Sequence, residues 1–156
     1  RRIAFIGRSE ALLDPVLSVT IGARYAGLDA ALAESGIELV HQVDGRFWEP
    51  DLGYAGAQEV FQRTEVTAII AANDRVAFGV YQAAQERGLR IPDDLSVVSF
   101  DDEYLASYLR PQLTTMQIPY LDMGRVAMEL VLDGDPPTET LVPMPLQERG
   151  SVRALS

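Results

Sequence analysis

AANDRVAFGVYQAAQERGLRIPDDLSVVSFDDEYLASYLRPQLTTMQIPYLDMGRVAMELVL, Ala71–Leu132, alternates strand-like and helix-like patterns with polar residues at the junctions. It opens on the tail of a nearly all-apolar run, Val66–Ala72, the composition of a parallel strand covered on both faces. Arg75–Arg87 follows as a helix with Val76, Val80 and Ala83 on one stripe, and Gly88 closes it. Leu95–Phe100 reads as the next strand and Leu113–Ile118 as a short one. Tyr120–Leu132 is a helix with an apolar stripe of Met123, Val126, Ala127, Leu130 and Val131.

Outward from that stretch the rhythm continues. Arg2–Ile6 is a strand ending at Gly7. Val19–Ser35 is a helix with Ile21, Leu28 and Leu32 at helical spacing and Gly36 as its stop. Glu38–Val43 is a second strand before Asp44-Gly45, and Leu52–Arg63 a helix with Ala55, Val60 and Phe61 inward. Downstream, Asp133–Thr138 is a polar Gly/Pro loop, and Leu141–Gln147 is extended, confined by Pro143 and Pro145 to an edge or irregular strand. The alternation predicts an α/β fold, a doubly wound parallel sheet flanked by helices.

Such sheets bind ligands outside the carboxyl ends of their strands. Gly7-Arg8, Asp44-Gly45, Asn73-Asp74 and Asp101-Asp102 stand just past the strands, so they are expected to converge on one rim beside a small-molecule crevice. Each has a plainer reading. Asp74 reads as a helix N-cap or first-turn residue, Asn73 as a turn former or a ligand contact, and one of the aspartate pair as a cap for the turn into Glu103–Leu109. Arg24 reads as a surface ion-pair partner or a ligand contact, and Thr20 shares its helix face one turn earlier. Trp48, the one tryptophan, lies in a Gly/Pro/Asp loop as a lid over the core or a stacking wall.

The 156 residues suffice for a single core, with 47% apolar and 23% charged content, and no apolar run reaches the roughly 18 residues a membrane span needs. The chain opens on strand-like RRIAFIG, so no signal peptide is visible, which is uninformative for a piece cut from something longer. A net charge of −10 repels a phosphate backbone, so this segment is not expected to touch nucleic acid itself. No cysteine is present, which removes disulfides and thiolate chemistry, and all 13 basic residues are arginine. His41, the one histidine, sits inside a strand, where a structural role outweighs catalysis. Gly7-Arg8-Ser9 lacks the glycines of a phosphate loop. Asp101-Asp102 lacks the lysine that usually accompanies a phosphoryl-transfer pocket. No catalytic centre, metal site or cofactor is expected, and no enzyme activity.

Taken together, Ala72-Asn73-Asp74, Ile91–Val98, Phe100-Asp101-Asp102 and Pro111–Thr115 resemble, in order and spacing, the effector-sensing domain of LacI–GalR transcription regulators. The resemblance implies a periplasmic-binding-protein-like lobe over residues 1–156: the second lobe of the sensor together with a segment, 114–134, that crosses into a first lobe mostly missing here, as is the DNA-reading head. It further implies a small-molecule effector, a sugar or similar polyhydroxylated compound, bound between lobes. Thr20, Arg24, Trp48, Asn73 and Asp101 match effector-contacting positions, and Tyr120 an aromatic position near the hinge. A cytoplasmic homodimer is implied, contacting operator DNA through the missing head and not the membrane, with Phe78 and Tyr81 as candidate interface anchors. With the first lobe absent, the Tyr120–Leu132 helix is expected to pack elsewhere on this chain or on a second one. Ser99 and Arg8 depart from the family pattern, which usually has glycine at both, and Arg8 brings charge to the cleft mouth. The other function open to this fold is one lobe of a sugar transporter's solute-binding protein.

Overall fold

The computed structural model of the protein describes residues 1–14, 18–133 and 140–154. In chain order the elements are β1 (Ile3–Arg8), a 3-10 turn (Glu10–Leu13), α1 (Val19–Glu34), β2 (Leu39–Asp44), α2 (Pro50–Arg63), β3 (Ala68–Ala71), α3 (Asp74–Glu86), β4 (Ser96–Asp101), α4 (Tyr104–Tyr108), β5 (Thr114–Gln117), α5 (Tyr120–Asp133) and β6 (Leu146–Gln147). The sheet order is β2-β1-β3-β4-β5-β6, parallel throughout except for the antiparallel β5–β6 pair. Parallel neighbours need crossovers, which the helices supply. The order reverses between β1 and β3, the place where open α/β sheets leave a crevice at their carboxyl rim. The ends of β1, β2, β3 and β4 therefore share one rim, as the alternation predicts.

Side chains alternate across the sheet and fill a core on each face. On one face Ile6, Ile69, Ala71 and Val97 meet Val60 of α2 and Val76, Ala77 and Val80 of α3, all fully buried. Burying each branched side chain contributes about 1.5–3 kcal/mol. On the other face Phe5, Ile21, Tyr25 and Ala72 form a smaller cluster backed by Leu28 and Trp48. Phe5 and Tyr25 meet edge-to-face, centroids 5.9 Å apart. Helices α2 and α3 pack so closely that a Cβ on Gly53 would strike the Val76 carbonyl, and one on Gly79 the Pro50 carbonyl. The stops expected at Gly36 and Gly88 are present: φ is 63° and 70°, and the next residues bond back, Ile37 N–H to Leu32 O at 2.9 Å and Leu89 N–H to Ala84 O at 3.0 Å.

Several expectations change. Ala55 is exposed, and the buried face of α2 is instead Gly53, Gly56, Ala57 and Val60, with Gly53 tight against α3 and Gly56 tight against Ile6 and Val43 of the sheet. Tyr81 is a core residue, 8% exposed, its hydroxyl donating to the Pro111 carbonyl at 3.1 Å, so it is not available as an interface anchor. Phe78 is half-buried and packs on the same core. Of the extended stretch Leu141–Gln147 only Leu146–Gln147 pairs as strand. The Asp133–Thr138 loop lies, beyond its first residue, outside the described residues. α5 does not pack into the body of this chain. It buries no residue, with Val126 and Leu130 half-buried and Leu121, Val131 and Leu132 at 88%, 74% and 72% exposure. Among the described residues no helix is long and apolar enough to cross a membrane.

Candidate functional site

The rim beside the β1/β3 switch point is built on Gly7. Its φ of 100° suits glycine, and a Cβ there would lie 2.6 Å from that of Ala72 and 3.2 Å from the Trp48 indole nitrogen. That absence lets the indole dock: Nε1–H donates to the Gly7 carbonyl at 2.8 Å and to the Gly45 carbonyl at 3.1 Å. Trp48 thus caps the ends of β1 and β2, as its reading as a lid has it.

Arg24 reaches the same place from α1. Its Nη1 donates to the Ala72 carbonyl at 2.9 Å, and its guanidinium carbon lies 4.4 Å from the Phe100 ring centroid and 5.6 Å from that of Trp48. Both contacts fall within cation–π range. Burial holds its pKa below the usual arginine value, and Asp101 opposes that shift. Asp101 stands 3.7 Å away at the end of β4, its side chain 17% exposed. Burial raises its carboxyl above the ordinary range, against the pull of Arg24. Its φ of 105° is unusual for a residue with a Cβ and is held only when the surroundings over-determine it. Arg24 is its one side-chain partner among the described residues, which leaves the carboxylate acceptor capacity beyond that pair.

Asn73 and Asp74 open α3, Asn73 as its cap and Asp74 in its first turn, as one of the readings of Asp74 had it. Asn73 is the N-cap of α3: its Oδ1 accepts from Val76 N–H at 2.9 Å, while Nδ2 donates to the Trp48 carbonyl at 3.2 Å. Half of its hydrogen-bonding capacity remains. Asp74, in the first turn, is fully buried and accepts from the Ser99 and Thr115 hydroxyls and from Glu103 N–H. It ties α3, β4 and β5 together and takes no part in the rim. Arg8, the charge expected at the cleft mouth, turns to α1 instead. It grips Asp29 with two 2.7 Å hydrogen bonds, which hold the Asp29 carboxyl below the ordinary range, and lies over the Tyr25 ring.

A cavity of about 360 Å³ opens at this rim, walled by Trp48 and Asn73 together with Leu12, Ile21, Phe47 and Arg75. Arg24 and Asp101 are not among the lining residues; Arg24 stands behind Trp48, its guanidinium carbon 5.6 Å from that ring, and Asp101 beside Arg24. Arg75 bridges Glu49 at 3.1 Å and Glu103 at 3.3 Å across the mouth. Arg75, Phe47 and Glu103 were missed from sequence. Counting two residues past each strand stops at Asp74 and Asp102, and one more residue finds Arg75 and Glu103. Thr20 is exposed, its hydroxyl 3.3 Å from that of Ser18, and does not line the cavity. Tyr120 is 69% exposed and lines a separate groove of about 790 Å³ between α4 and the start of α5. Arg24, Trp48, Asn73 and Asp101 come together, and Thr20 and Tyr120 do not join them.

The geometry has close parallels. The Periplasmic binding protein-like domain family matches residues 1–152. The transcriptional repressor PurR of Erwinia tasmaniensis is 40% identical over 117 residues, 73% of this chain and 34% of the repressor. A LacI-family sugar-binding transcriptional regulator from Escherichia coli, solved with phosphate, superposes with a TM-score of 0.79 at 31% identity, over 97% of this chain and 54% of its own. The Lac repressor dimer bound to operator and an anti-inducer gives 0.82 at 27% identity, over 98% and 53%. The chain thus spans about a third of the curated relative and about half of the solved ones. With the family model spanning nearly the whole chain and the fold built around a switch-point rim, the chain belongs to the periplasmic-binding-protein-like domains.

Proposed function

We propose that this chain is the effector-sensing lobe of a transcription repressor and that its effector is a small polyhydroxylated molecule such as a sugar. The observation that carries this reading is Asp101. It is a mostly buried carboxylate whose one side-chain partner among the described residues is a guanidinium at 3.7 Å, too far for a full hydrogen bond. Neighbouring hydroxyls would donate to its oxygens and accept from Arg24, in the planar geometry both groups favour. Asn73 adds one free donor and one free acceptor position, and Trp48 gives an apolar wall for C–H contact.

The rest of the reading concerns the whole protein. Segment 114–134 crosses into a first lobe that covers the apolar face of α5 and supplies the remaining effector contacts, with Tyr120 beside the hinge. The complete protein is a cytoplasmic homodimer that reads operator DNA through a separate head, since this acidic lobe repels phosphate. A solute-binding role is not favoured, because the relatives are repressors.

The test uses the full-length protein and paired titrations of operator binding with and without effector. Losing one buried hydrogen bond to a charged group costs about 1.5–3 kcal/mol, roughly 10- to 150-fold in affinity. Arg24→Ala and Asp101→Ala should therefore shift the effector midpoint by at least that factor and leave effector-free operator binding intact. Wild-type midpoints in both variants would return Asp101 to the role of a turn residue.

A further inference from the structure

Asp102 lies outside the effector rim, yet its side chain is only 10% exposed and both of its oxygens are occupied. Arg149 donates from Nη2 to Oδ1 at 2.6 Å, and Gln117 donates from Nε2 to Oδ2 at 3.0 Å. These partners come from the two places where the chain leaves the sheet and returns. β5 ends at Gln117, α5 follows, and β6 ends at Gln147, just before Arg149. The exit and the return are also joined directly, Gln147 Nε2 donating to Gln117 Oε1 at 3.1 Å. Ile118, the first residue past β5, donates its N–H to the Asp101 carbonyl at 3.2 Å. Arg149 is itself held by Nη1 on the Leu113 carbonyl at 2.8 Å and by its own N–H on Thr114 Oγ1 at 3.0 Å.

Asp101 and Asp102 both carry positive φ, 105° and 55°. Residues with a Cβ keep such a conformation only under outside constraint. The constraint on Asp102 is a carboxylate gripped by both ends of one excursion of the chain. That excursion carries α5, which buries no residue in this body.

We propose that Arg149 is a positioning residue: through Asp102 it fixes the corner from which Asp101 presents its carboxylate, and so couples the position of α5 to the effector rim. The coupling rests on reading Asp101 as an effector contact. The bonds themselves do not depend on that reading. A lysine in place of Arg149 keeps the charge but cannot hold Asp102 and Leu113 with two separate arms, so it should restore the link only in part.

The experiment uses the full-length protein, with Arg149→Lys and the paired variant Asp102→Asn/Arg149→Gln, which leaves no buried charge unpaired. Hydrogen–deuterium exchange resolved to single amides is read at Asp102 and Ile118 and, for reference, at Ile69–Ala71 of β3. The expected result is exchange about tenfold faster at the corner than in the wild type in the paired variant, a smaller change in Arg149→Lys, and no change in β3. Equal acceleration in β3 would make Arg149 a general staple, and no acceleration at the corner would leave the corner to other bonds. Either result overturns the proposal. In a parallel arm, D-ribose, D-glucose and D-galactose are titrated by calorimetry. A sugar that binds the wild type should bind the paired variant about tenfold more weakly, and unchanged affinity would overturn the coupling. If no sugar binds the wild type, the reading of the effector fails, and the exchange result still decides the role of Arg149.

Discussion

Replacing Asp74 by alanine should destabilise the protein by about 3–5 kcal/mol. The Asp74 side chain is fully buried, with Oδ1 accepting from Ser99 Oγ at 2.5 Å and Thr115 Oγ1 at 2.8 Å, and Oδ2 accepting from Glu103 N–H at 2.6 Å. Alanine strands all three donors. The two hydroxyls can turn to other acceptors, but the Glu103 amide is fixed by the entry to α4. Each stranded donor costs about 1–3 kcal/mol, partly offset because a buried carboxylate no longer needs desolvating. For a domain of this size that loss lowers Tm by about 10 °C. Urea unfolding followed by circular dichroism should show an earlier midpoint at unchanged slope. A loss below about 1 kcal/mol would refute the idea that this carboxylate is the joint of α3, β4 and β5. A pH series adds a second check. Burial pushes the Asp74 carboxyl above its ordinary 3.8, against the pull of its three donors. An acid with a raised folded pKa holds its proton better when folded. Its contribution therefore declines as pH climbs from 3.8 to the raised value and is flat above. That slope should vanish in Asp74→Ala.

Other consequences are simpler. Gly53→Ala should destabilise by about 1–2 kcal/mol in chemical denaturation, because the clash with the Val76 carbonyl outweighs the roughly 1 kcal/mol that alanine gains in a free helix. The Tyr81 phenol is pushed up to about 12 by burial, so stability should fall as pH rises from 10 to about 12, where only the unfolded chain ionises. Tyr81→Phe should cost about 1 kcal/mol and delete the latest step of the tyrosine absorbance titration. Hydrogen bonds from Arg90, side chain first and then backbone, bring the Asp94 carboxyl down to about 2. Its contribution is present above 3.8 and lost as pH falls through about 2, and Arg90→Ala should move the NMR midpoint upward but not fully back, since the backbone donor remains.

The sheet was legible because its strands are short apolar runs and its helices close on Gly36 and Gly88, signals that do not depend on distant contacts. The rim was legible for the same reason, since strand ends are local. What stayed open or failed depended on a single residue of register or on packing between elements. Asn73 and Asp74 are both competent caps, and only the start of α3 decides which one accepts from Val76 and which turns inward to Ser99. On α2 half of the buried face is glycine, Gly53 and Gly56, which an apolar pattern passes over, so the pattern finds Val60 but sets Ala55 in place of its neighbours. Tyr81 looked like a surface aromatic because the loop residue that takes its hydroxyl, Pro111 between α4 and β5, lies 30 residues away. Tyr120 was placed at the effector by resemblance, yet in this lobe it faces another groove.

The two departures from the family pattern show how the rim keeps its character. Ser99 and Arg8 each add a polar group where a glycine is usual, and each is taken up by a carboxylate away from the cleft. Ser99 gives its hydroxyl to Asp74, beneath the sheet, and Arg8 gives both of its arms to Asp29 on α1. Neither adds an unpaired charge beside Arg24 and Asp101. At the mouth Arg75 is shared between Glu49 and Glu103, so that positive charge is answered as well. An ionic effector would have to displace one of these pairs to be held. A neutral polyhydroxylated one needs only the open acceptor positions of Asp101 and the free half of the Asn73 amide, which is the physical reason to favour it.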